Sequence, residues 1–106
     1  MELTKSQRSY LRRLANPLKA TVMLGRQGLT EQLLGKISQE LEAHELIKLR
    51  LLEHKEQKDQ LARTIVEEAG AALVAIVGNV VTLYRPNPEL KERMIPLPQG
   101  DEEESL

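Results

Sequence analysis

Four consecutive residues, Gly25-Arg26-Gln27-Gly28, carry the clearest chemical suggestion in the chain. They interrupt the apolar run Val22-Met23-Leu24 and precede Leu29-Thr30-Glu31, where a helical pattern begins. Two glycines three apart can mean a tight turn, because glycine reaches left-handed backbone angles at little cost. They can also mean a main chain laid bare, so that a ligand presses against its N–H groups. Between a strand and the first turn of a helix, unpaired amides and the helix dipole both favour an anion, and Arg26 can add a charge-assisted contact. The chemistry suggested is capture of a phosphate rather than the making or breaking of bonds.

Catalytic constellations are absent from the rest of the chain. It has no cysteine, which removes thiol nucleophiles, thiolate metal sites and disulfides and fits a reducing compartment. His44 and His54 flank a predicted strand with no partner at metal-ligand or general-base spacing, so a solvated or capping role is expected for both. No serine occupies a nucleophile elbow. Glu40, Glu42, Glu67 and Glu68 fall on helix faces among lysine and glutamine, as solvated carboxylates do. The loop also fails the phosphate signatures of nucleotide enzymes. Leu29-Thr30 follows Gly28 where a P-loop needs Lys-Ser or Lys-Thr, and the dinucleotide fingerprint needs a third glycine and an acid ending the second strand. No enzyme activity, metal or cofactor is expected.

The elements that would hold the loop are legible from caps and periodicity. Thr4 with Gln7 forms a capping-box pattern opening a helix that runs to about Ala15, where Asn16-Pro17 stops it. Leu11, Leu14 and Tyr10 share one side of this helix, and Lys5, Arg8 and Arg12, spaced three and four apart, share another. Ala20 to Leu24 reads as a short strand. Leu33, Leu34, Ile37 and Leu41 recur at helical spacing to about Ala43, with Thr30 as the cap and Glu31 in the first turn. From Leu46 to Leu52, Ile47, Leu49 and Leu51 alternate with Lys48 and Arg50, as in a strand with one buried face and one wet, basic face. A third helix over 55–69 ends at Gly70, residues 71–77 read as a central strand, and Gly78-Asn79 turns the chain into a last strand over 80–85.

The expected fold class is α/β, in the order α-β-α-β-α-β-β, with a mixed four-stranded sheet packed by helices. Crossover connections predict parallel pairing of the first three strands, and the closing hairpin makes the fourth antiparallel. Pro86, Pro88, Pro96 and Pro98 end regular structure, so residues 1–98 read as one domain and 99–106 as a disordered acidic tail.

Charge indicates what the loop would meet. The formal net charge is only −1, yet residues 1–28 hold Lys5, Arg8, Arg12, Arg13, Lys19 and Arg26 against Glu2 alone, while Asp101 to Glu104 are acidic. A basic end on a nearly neutral protein points to an acidic partner. Tyr10 and Tyr84 are the only aromatic residues and both are expected to fill the core, so base stacking is hardly available. Binding would then rest on phosphates and shape, with a marked salt dependence. The N-terminus lacks a secretory pattern and no run approaches the roughly 20 apolar residues of a membrane helix, so a cytoplasmic protein is expected. The competing reading is a protein-binding adaptor whose basic end docks an acidic protein.

Taken together, several linked motifs resemble the CRM domain (chloroplast RNA splicing and ribosome maturation), in particular its small stand-alone bacterial YhbY-type members. They are Leu11-Arg12-Arg13-Leu14-Ala15 before Asn16-Pro17-Leu18-Lys19, the run from Val22 to Thr30, His44-Glu45-Leu46-Ile47-Lys48, Gly78, and Leu83-Tyr84-Arg85-Pro86, spanning about residues 2 to 98. The resemblance implies a fold like the C-terminal domain of bacterial translation initiation factor three. It further implies a non-enzymatic RNA-binding protein acting on ribosomal RNA and large-subunit precursor particles. Residue by residue, the RNA-binding loop is Gly25, Arg26, Gln27 and Gly28, and Lys48 is the basic position of the second strand. Lys5, Arg8, Arg12, Arg13 and Lys19 extend the expected footprint. The acidic tail lies outside the family pattern, and a monomer is expected.

Overall fold

Residues 2–89 are described by a computed structural model; the expectations for Pro96, Pro98 and the acidic tail lie outside them. Helix α1 (Lys5–Ala15) starts where Thr4 Oγ1 accepts the Gln7 amide at 3.1 Å and Gln7 Oε1 accepts the Thr4 amide at 3.0 Å, so two donors of the helix start are satisfied reciprocally. Strand β1 (Val22–Leu24) is shorter than expected, although the Thr21 amide still donates to Lys48 O at 3.1 Å. Helix α2 (Glu31–His44) is capped by Thr30, whose Oγ1 accepts the Leu33 amide at 3.0 Å. Strand β2 (Leu46–Leu51) leads through a 3-10 turn (Lys55–Gln57) into α3 (Lys58–Ala69), which Gly70 ends in the left-handed conformation. Strands β3 (Ala72–Val77) and β4 (Val80–Tyr84) form the closing hairpin.

The sheet order is β1-β2-β4-β3, with β1 parallel to β2 and β4 antiparallel to both of its neighbours. The first three strands point the same way, as expected, but β4 is inserted between β2 and β3. The pairing of β3 with β2 expected from sequence is therefore not formed, and β3 is an edge strand rather than a central one. A hairpin requires its strands to be adjacent and leaves open which of them faces inward. The inner place goes to β4, whose residues from Val81 to Tyr84 are all buried, while Val77 on β3 is 66% exposed.

Alternation along the strands divides the core between two faces. On one, Val22, Leu24, Ile47, Leu49, Leu51, Val81 and Leu83 pack against Ile37 and Leu41 of α2 and Ala62 and Ile65 of α3. On the other, Leu46, Ala72, Val74 and Tyr84 pack beneath Leu3, Leu11 and Ala15. An irregularity in the β3–β4 register between Leu73 and Ala75 leaves Val74 as the extra residue, buried beneath α1. Helix α1 covers only part of this second face. Leu14, expected on its inner side, is exposed and borders Leu18 instead.

Arg85, just past β4, joins the layers. Its guanidinium donates to Ala69 O at 2.7 Å, Ser38 O at 2.9 Å and Ser38 Oγ at 3.1 Å, and lies 3.9 Å from a Glu42 carboxylate oxygen. Buried Glu45 secures the following segment by accepting the Asn87 amide. Replacing Arg85 by alanine should lower unfolding stability by about 2 kcal/mol, because partly buried carbonyls at the end of α3 and in the middle of α2 lose a charged donor. Urea denaturation checks this, and a change below about 0.5 kcal/mol would contradict it.

Candidate nucleic-acid interface

The Gly25–Gly28 loop is a tight turn whose Gly28 amide donates to Gly25 O at 3.0 Å. Its two glycines have different causes. Gly28 sits at φ +73°, a conformation that side chains bearing Cβ adopt at a cost, whereas Gly25 has ordinary backbone angles and open space where a Cβ would stand. The fold therefore requires glycine at 28 and not at 25; bareness at 25 matters only for something that approaches from outside. Gly28→Ala should cost about 1 kcal/mol of stability through backbone strain. Gly25→Ala should leave the thermal midpoint unchanged and weaken ligand binding. Paired melting curves and binding titrations separate the two effects, and a destabilised Gly25→Ala protein would contradict the assignment.

Arg26 and Gln27 form the tip and are exposed. The loop passes through Leu29 into the Thr30 cap, so the first amides of α2 at Glu31 and Gln32, which no helix can satisfy internally, lie beside it. Met23, Gly25, Arg26, Gln27, Gly28, Thr30 and Leu33 line a shallow depression of about 280 Å³. The β2–α3 connection and the β3–β4 hairpin lie at the same end of the sheet, because the Leu52 amide donates to Leu24 O at 2.9 Å and the Leu51 amide to Asn79 O at 2.8 Å.

From this end the uncovered part of the second sheet face runs toward α1. Met23 stands opposite Arg50, and Lys48 two residues before Arg50 stands opposite Thr82, so these side chains share one face by register. Arg50 is exposed, and Met23 is 46% exposed. Where the face meets α1, an open groove of about 380 Å³ is lined by Ser9, Arg12, Arg13, Asn16, Lys48 and Thr82, among others. Lys48 has a structural duty there, since its ammonium donates to Leu18 O at 3.0 Å and Asn16 O at 3.4 Å, neutralising carbonyls beyond the end of α1. An ammonium has three donors, so its charge and one N–H remain for a ligand.

Not all of the expected basic residues converge. Arg12, Arg13 and Lys48 share the groove, while Gly25, Arg26, Gln27 and Gly28 form the loop at the far end of the same face. Arg8 reaches the edge of the sheet, its Nε donating to Leu73 O at 3.4 Å, and Lys5 is exposed at the start of α1. Lys19 borders a separate apolar depression with Leu14, Leu18, Thr21, His44, Leu46 and Ile47. Two residues escaped the sequence reading. Arg50 was visible on the basic side of its strand but not connected with the loop. His54, expected to be solvated or capping, stands at the cap position of the 3-10 turn, but its ring makes no cap bond there and places Nε2 2.8 Å from Arg26 O.

The electrostatics are one-sided. Helix α1 and the open sheet face carry Lys5, Arg8, Arg12, Arg13, Lys48 and Arg50 with no acid among them, whereas α2 and α3 carry Glu31, Glu40, Glu42, Asp59, Glu67 and Glu68 against Lys36, Lys58 and Arg63. Tyr84 is fully buried and Tyr10 is half-buried against the α1 cluster, so the basic face has no freely exposed aromatic ring for a base to stack on. Among the described residues no group of His, Asp or Glu is arranged to hold a metal ion, and no helix is long and apolar enough to cross a membrane.

Comparison with known proteins places these features in context. Residues 3–85 match the CRS1 / YhbY (CRM) domain. A Haemophilus influenzae protein named "RNA-binding protein" is 41% identical over 90 residues, which are 84% of this chain and 91% of that one. The Bacillus subtilis "Probable RNA-binding protein YqeI" is 33% identical over 95 residues, covering 89% of this chain and 99% of the relative. The solution structure of SAV1595 from Staphylococcus aureus superposes with a TM-score of 0.77 at 36% identity, covering 92% of this chain and all of that one.

Proposed function

The chain belongs to the CRS1 / YhbY (CRM) domain family, and from that premise we propose that it is a non-enzymatic RNA-binding protein that docks on ribosomal RNA during assembly of the large subunit. The observation that carries the RNA-binding part is the continuity of the Gly25–Gly28 loop with a sheet face and helix of a single charge sign. A polyanion lying along that face meets Arg26 and the loop amides at one end, Arg50 and Lys48 in the middle, and Arg12 and Arg13 at the other. Phosphate contacts supply affinity and little sequence information, so recognition rests on RNA shape. Residues 1–98 form the RNA-binding unit, and the protein works in the cytoplasm.

Ribosomal RNA as the target follows from the YhbY-type resemblance. Crosslinking in cells followed by sequencing of the attached RNA tests it. Enrichment at discrete large-subunit positions is expected, and a map spread evenly over messenger RNA would overturn the ribosomal assignment while leaving RNA binding in place. The adaptor reading predicts instead a protein partner that still copurifies after nuclease digestion.

A further inference from the structure

We infer that His54 is a positioning residue that aims the Gln27 amide at the bound phosphate, an inference that rests on the RNA-binding role proposed for the loop. The geometry is specific. His54 Nε2 lies 2.8 Å from Arg26 O, and the same ring passes 3.7 Å from the point where a Cβ on Gly28 would stand. A carbonyl oxygen only accepts, so Nε2 carries the proton in this contact. The peptide joining Arg26 to Gln27 is planar and trans, which sets its N–H opposite to its C=O. Holding the Arg26 carbonyl toward His54 therefore turns the Gln27 N–H to the other side of the loop, away from the imidazole. Among the described residues that amide has no acceptor, and it sits at the exposed tip between the two glycines.

The backbone of His54 points the same way. It lies at φ 58° and ψ 34°, a left-handed conformation unusual for a residue with a Cβ. Neighbouring hydrogen bonds hold it there: the Leu52 and Glu53 amides both donate to Leu24 O, at 2.9 and 3.4 Å, and Gln57 N donates to His54 O at 3.0 Å. Leu24 immediately precedes Gly25, so the connection that presents the imidazole is tied to the root of the loop it braces. With one internal bond, Gly28 N to Gly25 O, the turn alone leaves the Arg26–Gln27 peptide free to flip. The histidine removes that freedom.

The test uses the full chain and a labelled RNA hairpin, with His54→Gly, His54→Gln and Arg26→Ala. Glycine relieves the left-handed backbone while deleting the imidazole, so the melting temperature should hold or rise as affinity falls by about five- to tenfold, the size of one oriented amide–phosphate contact. Glutamine, which retains a side-chain N–H, should recover most of the affinity. The salt dependence of binding should keep its wild-type slope in the His54 variants, because no cationic contact that displaces counterions from the RNA is removed, and become shallower by roughly 0.7 to 0.9 in Arg26→Ala. Amide hydrogen exchange at Gly28, whose N–H closes the turn, should quicken in His54→Gly in the RNA-free protein.

Wild-type affinity in His54→Gly would overturn the positioning role while leaving RNA binding intact. A shallower salt slope in the His54 variants would overturn it too, by showing that the imidazole itself meets phosphate. A wild-type chain without affinity for the hairpin or for ribosomal RNA would overturn the function on which the inference rests.

Discussion

Changing Arg26 and Gln27 together to aspartate is expected to weaken RNA binding by about a hundredfold at low salt, with no loss of folded structure. Both side chains are exposed at the loop tip, and their substitution leaves the Gly28 left-handed angle, the Thr30 cap and the His54 contact to the Arg26 carbonyl intact. The binding term is large because one attractive charge is lost and two repulsive ones are placed where phosphate must approach. At a solvent-exposed loop tip, where water screens the charges, each such change is worth about 1 kcal/mol, and about 3 kcal/mol in total corresponds to roughly a hundredfold in affinity. A filter-binding titration beside a melting curve measures both quantities. Wild-type affinity in a folded double variant would show that the loop is not where RNA binds.

Reversing Arg12 and Arg13 to glutamate should have the second-largest effect, about thirtyfold at low salt, since in the open groove each of the four unit changes of charge is worth only about 0.5 kcal/mol, and it tests whether the footprint extends from the loop to α1. These residues line the groove with Lys48, so the reversal places negative charge beside the one tethered ammonium. They also stand in the last turn of α1, where positive charge favours the helix, so a loss of about 0.3 to 1 kcal/mol of stability per residue accompanies the change. The neutral pair Arg12→Gln and Arg13→Gln separates the contributions. If both arginines touch phosphate, the salt slope should become shallower by about 1.4 to 1.8 with little change in fold. Lys36→Glu with Arg63→Glu makes the same change in net charge on the α2–α3 layer and should leave affinity nearly unchanged. An equal loss there would mean that overall charge, rather than a basic face, drives binding.

The difference between the two layers also explains how much of the site could be read from sequence. The helix starts at Thr4 and Thr30, the stop at Gly70 and the Gly78-Asn79 turn are local features, in which a side chain or glycine acts within a few residues of itself, and each appears in the structure. The Gly25–Gly28 loop belongs to this group, since its setting between a strand and a helix depends only on adjacent segments. The place of β4 was a different kind of question. Adjacency of β3 and β4 follows from their short turn, but which strand lies inside depends on how α1, α2 and α3 divide the two sheet faces, a matter of non-local packing.

The same distinction separates the residues of the interface. Periodicity marked Lys48 and Arg50 as one side of a strand, yet only the register with β1 and β4 joins that side to the loop. Lys19 follows α1 closely in sequence and still borders a different depression, because the chain turns after Asn16-Pro17. His54 is 26 residues beyond Gly28 with nothing in its neighbours to connect them; the parallel pairing of β1 and β2 carries both strand ends to one edge of the molecule. By itself, the sequence determined the elements, the glycine loop and the sign of the charge around it, since caps, turns and periodicity act over a few residues. Tertiary structure alone decided which cations share a face and which side chain braces the loop, because those relations depend on strand order and register between segments far apart in the chain.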